Sequence, residues 1–149
     1  MLTPADRAGL DAAVAEARAG LAEGGVPIGA ALIDPEGRVV ATGRNLRVQQ
    51  NDTTMHGETS CLRNAGRRRD WRTLTMVTTL SPCAMCAGAI ILHKIPRVVI
   101  GERDTFLGRE DWLRAEGVEI VCAQDDRCRE LMRQFIERFP DVWAEDIGN

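Results

Sequence analysis

Two cysteines three residues apart are the first feature of the sequence that could do chemistry. Cys83 and Cys86 follow Ser81-Pro82 at the start of a predicted helix, where positions i and i+3 share one face. The free N–H groups and the dipole of a helix N-terminus lower the pKa of a thiol and favour the thiolate, which binds zinc. We therefore predict that both sulfurs bind one metal ion. A redox pair or two core cysteines are the alternatives, and the Ser-Pro and two predicted strands before the motif disfavour the redox pair.

A histidine completes the candidate ligand set. The chain has two histidines, and His56 lies near the start of another predicted helix. His93, near the end of a helix, is predicted to be structural because the helix dipole favours it there. One His and two Cys make three protein ligands, and a catalytic zinc site keeps its fourth position for water, whereas a structural site normally has four protein ligands. The other cysteines, Cys61, Cys122 and Cys128, are predicted to be core residues. A role as a fourth metal ligand is the alternative for Cys61.

A carboxylate stands two residues after the histidine. Zinc lowers the pKa of a bound water towards ~7 and so generates hydroxide as a nucleophile. Glu58 can reach that water without binding the metal, and it is predicted to be the catalytic proton shuttle.

The elements that must position these residues alternate between strands and helices. Thr3 and Pro4 give the first helix its N-cap and first turn, and Gly24-Gly25 ends it. Pro35 and Gly37 form the turn of a predicted hairpin. The predicted helices are Thr3–Glu23, His56–Asn64, Cys83–His93 and Asp125–Phe139. The predicted strands are Ile28–Ile33, Val39–Gly43, Leu74–Leu80, Arg97–Ile100 and Val118–Cys122.

This order predicts an α/β fold with a mixed sheet of about five strands and helices on both faces. The 149 residues correspond to one domain, 1–149, that can bury its own core. No apolar run approaches the ~20 residues of a membrane span, and Met1–Asp6 does not have the pattern of a secretory signal. With five cysteines, an odd number, we expect reduced thiols in a cytoplasmic protein.

The charge disfavours a nucleic-acid substrate. The net charge is −3 and the pI is about 5.4, and six aromatic residues leave few platforms for stacking bases. The one basic cluster, Arg67–Arg69, is interpreted as a solvated turn. Membrane and nucleic-acid partners are therefore not expected.

The pattern H-x-E followed by P-C-x-x-C is the signature of zinc-dependent nucleobase deaminases. The chain resembles the cytidine/cytosine deaminase superfamily, and within it the fungal-type zinc-dependent cytosine deaminases. The zinc motif is shared by the whole superfamily, whereas the tail pattern Trp-x-Glu-Asp-Ile-Gly is much narrower. The matching stretches extend over nearly the whole chain: 23–29, Asn45, His56–Glu58, 78–83, 88–91 and 143–148.

The resemblance implies a cytidine deaminase-like three-layer α/β/α fold with a five-stranded mixed sheet, and a homodimer. It implies one Zn²⁺ per chain on His56, Cys83 and Cys86, with Glu58 moving protons while cytosine becomes uracil and ammonia, a reaction of pyrimidine salvage. Ile90-Ile91 is a candidate dimer surface. The residues expected to contact the substrate are Ile28, Asn45, Gly57, Leu80, Ser81, Phe106, Trp143, Asp146 and Ile147, with a backbone group of Cys86.

Two positions differ from the fungal pattern and leave the substrate open. Ala84 stands where an acid is common, and Ala144 where an aromatic residue is common. Either change could reshape the edge of the pocket. The alternatives to cytosine are another small aminated heterocycle (guanine, a triazine or creatinine) and, less favoured, tRNA adenosine. A zinc-stabilised binding module without catalysis is the non-enzymatic alternative, and the open ligand position and Glu58 argue against it.

Overall fold

A twisted five-stranded sheet forms the centre of the computed structural model, which describes residues 1–149. The spatial order is β2-β1-β3-β4-β5; β1 pairs antiparallel with β2 and β3, whereas β3, β4 and β5 run parallel. The mixed five-stranded sheet predicted from the sequence is therefore confirmed. The strands are β1 (Gly29–Ile33), β2 (Val39–Arg44), β3 (Thr75–Leu80), β4 (Arg97–Glu102) and β5 (Glu119–Cys122).

Helices cover both faces of this sheet. Four of them match predicted helices to within one or two residues, and three short ones do not. The helices are α1 (Pro4–Ala22), α2 (Arg47–Gln50), α3 (Gly57–Ala65), α4 (Ala84–His93), α5 (Glu110–Ala115), α6 (Asp126–Arg138) and α7 (Pro140–Asp146), with a 3₁₀ turn at Trp71–Thr73. The short helices α2, α5 and α7 were not predicted, because four to seven residues are too few to show a helical repeat.

The sheet divides the core into two layers. Because side chains alternate along a strand, Ala31, Ile33 and Val77 face one side of the sheet, whereas Leu32 and Met76 face the other. The first side is covered by α1 and α6, and the second by α3, α4 and α5. The three-layer α/β/α architecture is therefore confirmed.

The predicted start of α1 is confirmed. The Thr3 hydroxyl accepts a hydrogen bond from the Asp6 amide, and the Asp6 carboxylate accepts one from the Thr3 amide. This capping box satisfies two N–H groups that the helix leaves free. The buried Asp6 carboxylate also accepts hydrogen bonds from both terminal nitrogens of Arg97, at 2.6 and 2.8 Å. These bonds connect α1 to the start of β4.

Two of the surface predictions are resolved by burial. Ile90 is fully buried in the core under α4, so the prediction of an Ile90-Ile91 dimer surface is wrong for Ile90. The exposed apolar residues of α4 are instead Met85 and Leu92. His93 donates a hydrogen bond from Nδ1 to the Ala89 carbonyl oxygen of its own helix and packs edge-on against Trp71, as a structural residue does. None of the helices combines the length and the apolar character that crossing a membrane requires.

Candidate active site

The predicted metal ligands meet at the starts of two helices. His56 is the N-cap of α3 and Cys83 is the N-cap of α4, while Cys86 lies in the first turn of α4. Both helices begin at the same end of the central strands, beside the carboxyl end of β3 at Leu80. The Thr59 hydroxyl accepts a hydrogen bond from the His56 amide at 2.9 Å, which fixes the chain where it enters α3.

The distances among the three residues fit a zinc ion. His56 Nδ1 lies 3.4 Å from Cys83 Sγ and 3.6 Å from Cys86 Sγ, and all three ligand atoms lie within 4.8 Å of one another. Tetrahedral zinc with Zn–S bonds of about 2.3 Å and Zn–N bonds of about 2.0–2.1 Å separates N and S by about 3.6 Å. Two thiolates and one imidazole are also the donors that zinc prefers. The side chains are therefore arranged as three corners of a zinc tetrahedron.

The charges around the sulfurs agree with metal binding. Hydrogen bonding from Cys86, opposed by burial and helped by His56, lowers the pKa of Cys83 to about 4. The pKa of Cys86 is raised well above its ordinary value, because it is hydrogen-bonded to the Cys83 thiolate and buried. One sulfur is therefore a thiolate and the other keeps its proton, and a bound cation would allow both sulfurs to ionise. Cys61 is not near this cluster but lies in the core with Leu32 and Met76, so it is not a fourth ligand.

Glu58 is buried in the first turn of α3, two residues after His56. Burial, reinforced by the negative charge of Cys83, raises the pKa of its carboxyl to about 7. A carboxyl with such a pKa both accepts and releases protons near neutral pH. Glu58 is not part of the group of ligand atoms, so its carboxylate is free to act on a molecule beside the metal.

A small pocket opens next to the ligands. Ten residues line it. Phe106 and Trp143 form part of its wall, with ring centroids 6.2 Å apart and planes nearly perpendicular. The lining residues are Ile28, His56, Glu58, Leu80, Ser81, Cys83, Phe106, Trp143, Asp146 and Ile147. Flat apolar walls with a few polar groups suit a small aromatic ring.

The C-terminal helix closes this pocket. α7 carries Trp143 and Asp146, and Ile147 follows directly. Trp143 packs against Val26 and Phe135, which anchor α7 to the body of the protein. Trp143 therefore both anchors the tail and forms part of the pocket wall.

Asp146 connects the tail to a metal ligand. One carboxylate oxygen lies 3.4 Å from His56 Nε2, and the other accepts a hydrogen bond from the Asn45 side-chain amide at 2.8 Å. A histidine that binds metal through Nδ1 carries its proton on Nε2. Nε2 of His56 makes no hydrogen bond within the chain, and the Asp146 carboxylate lies beside it. Burial raises the pKa of Asp146, whereas His56 and Asn45 oppose that shift.

Three of the predicted contact residues, Asn45, Gly57 and Cys86, do not line the pocket itself. Asn45 lies behind Asp146, and its side-chain oxygen accepts a hydrogen bond from the Arg47 amide. Gly57 packs against the backbone of Ile28, and a Cβ atom there would lie 3.2 Å from the Ile28 carbonyl oxygen, which is a tight contact. Sequence reasoning also missed a surface ion pair, 3.1 Å long, between Arg47 and Glu145 of α7. No local pattern reports such a pair, because its members are about a hundred residues apart.

Comparison with known proteins identifies the family. Residues 4–102 match the cytidine and deoxycytidylate deaminase zinc-binding region. The chain is 45% identical over 145 residues to a cytosine deaminase of Candida albicans, covering 96% of this chain and 97% of that protein. It is 42% identical over 88 residues to a tRNA-specific adenosine deaminase of Haemophilus influenzae, which covers 57% of this chain and 51% of that protein.

Solved structures agree with this fold. A structure from a study of A-to-I editing by tRNA:A34 deaminases superimposes with a TM-score of 0.72 at 28% identity, covering 84% of this chain and 99% of that one. A guanine deaminase from Nitrosomonas europaea gives a TM-score of 0.74 at 24% identity, covering 91% and 85%. The chain belongs to the cytidine and deoxycytidylate deaminase family. It is a zinc-dependent deaminase with the cytidine deaminase-like fold.

Proposed function

We propose that this enzyme hydrolyses free cytosine to uracil and ammonia. The observation that carries the proposal is the small pocket beside the metal ligands, in which Trp143, Asp146 and Ile147 of the tail form part of the wall. A wall in that position favours a free base over a base within a polymer. The similarity to a cytosine deaminase over 96% of the chain supports the same substrate. The proposed enzyme is one domain of residues 1–149.

The reaction replaces the amine of cytosine with oxygen. Water adds to the ring carbon that bears the amine, the carbon–nitrogen bond breaks, and ammonia leaves. His56, Cys83 and Cys86 would hold the zinc ion, which when bound would lower the pKa of a water molecule towards ~7 and so supply the nucleophile. We infer that Glu58 accepts one proton from the attacking water and delivers it to the ring nitrogen next to the amine. It then takes the remaining proton of the added hydroxyl and gives it to the amine, which leaves as ammonia while the carbonyl forms. Its pKa of about 7 supports this role, because both protonation states are then accessible.

The remaining pocket residues hold the base. Asp146 is proposed to accept a hydrogen bond from a ring N–H of cytosine. Asn45 and His56 fix the orientation of its carboxylate. Phe106 and Trp143 are proposed to enclose the flat ring, and Ile28 and the other lining residues to exclude water from it. A small neutral base has few polar groups, so a buried partner such as Asp146 determines specificity.

Another small aminated heterocycle is the second candidate substrate. An outer groove shares the Phe106 side of the pocket and is lined by Ala84, Met85 and Leu107. Ala84 leaves this edge wider than an acidic residue would. That width favours testing guanine, a triazine and creatinine. tRNA adenosine is less favoured, because a net charge of −3 gives no basic track for a polymer.

We further propose a homodimer in the cytoplasm. Met85 and Leu92 expose apolar surface on α4, with Leu92 75% exposed, and a second copy of the chain could cover it. The five free cysteines, two of them proposed metal ligands, support a reducing compartment. Sedimentation of the wild type and of Leu92→Glu tests the dimer: a monomeric variant supports α4 as the interface, and an unchanged dimer excludes it.

Parallel assays of ammonia release test the proposed function. Zinc-loaded protein is given cytosine, cytidine, adenine, guanine and creatinine, with the Glu58→Gln variant as the matched inactive control. Release from cytosine and not from cytidine is expected, because the pocket excludes the sugar. Release from guanine or creatinine alone would keep the chemistry and overturn the substrate. Silence on all five would overturn the proposed function.

A further inference from the structure

Another buried carboxylate lies outside the group of residues already described. Glu110, at the start of α5, is 2% exposed. It accepts the hydroxyl hydrogen of Ser81 at 2.7 Å. The Glu110 carboxylate also accepts hydrogen bonds from Arg103 at 2.9 and 3.2 Å and from Arg114 at 3.2 Å. Both arginines are partly exposed, whereas Ser81 is buried, so the bond to Ser81 is the interior end of this cluster.

The Ser81 hydroxyl links Glu110 to a loop. Its single hydrogen is donated to Glu110, and its oxygen accepts a hydrogen bond from the Gly108 amide at 2.9 Å. The hydroxyl hydrogen is therefore not available to a substrate, although Ser81 lines the pocket. The orientation that Glu110 imposes directs an oxygen lone pair towards Gly108.

The loop, residues 103–109, lies directly on the chain that leads into the metal-binding turn. The Arg109 amide donates to the Pro82 carbonyl at 2.9 Å. A Cβ atom at Gly108 would lie 1.8 Å from that same oxygen, so only glycine permits the approach. Near the other end of the loop, the Thr105 amide donates to the buried carboxylate of Glu102 at 2.9 Å. Phe106, the aromatic wall, lies between these attachments.

We propose that Glu110 is a positioning residue, which acts through the Ser81 hydroxyl to hold the 103–109 loop and its Phe106 against the substrate pocket. The inference rests on the proposed function for its kinetic consequence alone. Phe106 contacts a bound base before and during the reaction. Loosening the loop therefore weakens substrate binding and leaves the metal and Glu58 in place.

Four variants separate positioning from a merely structural role. Ser81→Ala and Glu110→Ala each remove the link, while Glu110→Gln keeps an acceptor oxygen for Ser81. Arg114→Gln removes an exposed partner of Glu110 and leaves Ser81 untouched, so it is the matched control. Unfolding temperature and zinc content establish that each variant is folded and loaded. Ser81→Ala, a small truncation, keeps the test valid if Glu110→Ala does not fold.

The kinetic result expected is a rise in KM. Ser81→Ala and Glu110→Ala are each expected to raise KM for cytosine about 10-fold and to lower kcat less than that, the pattern of lost uniform binding. Glu110→Gln recovers most of the loss. The double variant is no worse than the worse single variant, because both changes break one link. Additive effects, or a loss confined to kcat, would overturn the proposal.

Amide hydrogen exchange provides a readout that needs no substrate. Residues 103–109 are expected to exchange faster in Ser81→Ala and Glu110→Ala than in the wild type, and at the wild-type rate in Arg114→Gln. Unchanged exchange in the first two variants would contradict the positioning role. If the wild type releases no ammonia from cytosine, the proposed function fails, while this exchange measurement still decides whether Glu110 holds the loop.

Discussion

One carboxylate oxygen of Asp146 lies 3.4 Å from Nε2 of His56, on the side of the imidazole away from the two cysteine sulfurs. Helix α7, which forms part of the pocket wall, thus approaches the metal ligand His56 at Nε2, the ring nitrogen that does not face the sulfurs. Substrate enclosure and metal binding are therefore physically connected. Partners of this kind orient a metal-binding histidine and raise its basicity.

Asp146→Asn is expected to weaken zinc binding about 10-fold or more, because the carboxylate that supports His56 is lost. The variant also loses the proposed acceptor for the ring N–H, so KM for cytosine rises. Competition with a chelator measures the first effect, and steady-state kinetics the second. Glu145→Gln, on the same helix with its side chain 69% exposed, is the matched control and should change neither. Wild-type zinc affinity in Asp146→Asn would remove this residue from the support of the metal.

Glu58→Gln is expected to retain one zinc per chain and to lose activity by a factor of at least about 10² to 10⁴, because the amide cannot carry protons. Metal analysis and ammonia release measure the two quantities on the same sample. The amide has nearly the same size as the buried carboxyl, so folding is preserved. Activity within a few-fold of the wild type would exclude Glu58 as the proton shuttle.

Cys86→Ala is expected to lose stoichiometric zinc and to lower the unfolding temperature, because two protein ligands remain where three are needed. Cys61→Ala is the matched control: this cysteine is equally buried but lies in the apolar core. It should lose some stability to the cavity and keep its metal. A zinc-loaded Cys86→Ala protein would show that the ligand set is wrong.

Asp6→Asn is expected to destabilise the protein by ~2 kcal/mol at pH 7, because a buried carboxylate paired with Arg97 and the capping box is lost. Burial opposes ionisation of Asp6, but Arg97 and the Thr3 amide prevail, and its pKa is lowered from 3.8. A lowered pKa contributes stability that is present above the unfolded value and is lost as pH falls through the folded value.

Urea unfolding at several pH values checks this linkage. The difference in unfolding free energy between the wild type and Asp6→Asn should be constant near neutral pH and shrink as pH falls below 3.8. Taking the difference between the two proteins cancels the loss of zinc at low pH, which both share. A difference that does not change with pH would mean that the charge of Asp6 contributes nothing.

Local spacing explains why the metal cluster could be predicted. Cys83 and Cys86 are close on one helical face, and His56 and Glu58 are two residues apart, so short stretches of sequence already define each half of the site. The strand alternation and the long helices were predicted for the same reason. The count of ligands, one His and two Cys, joined the halves, and the resemblance to a deaminase motif supported that combination.

Relationships between distant residues could not be predicted in this way. Asn45 and Asp146 are 101 positions apart, and Ser81 and Glu110 lie on different elements. Their contacts depend on how α5 and α7 pack, and both helices are too short to show a repeat. The burial of Ile90 depends in the same way on the side of α4 that faces the sheet.

The metal ligands flank β3 along the chain: His56 precedes this strand and Cys83 follows it. They meet only when β3 has taken its central place in the sheet. Because zinc binds that arrangement and not the open chain, free zinc enters the folding equilibrium by mass action. Loss of zinc is therefore expected to raise the unfolded fraction of the polypeptide and, with it, the rate at which proteases cleave the chain.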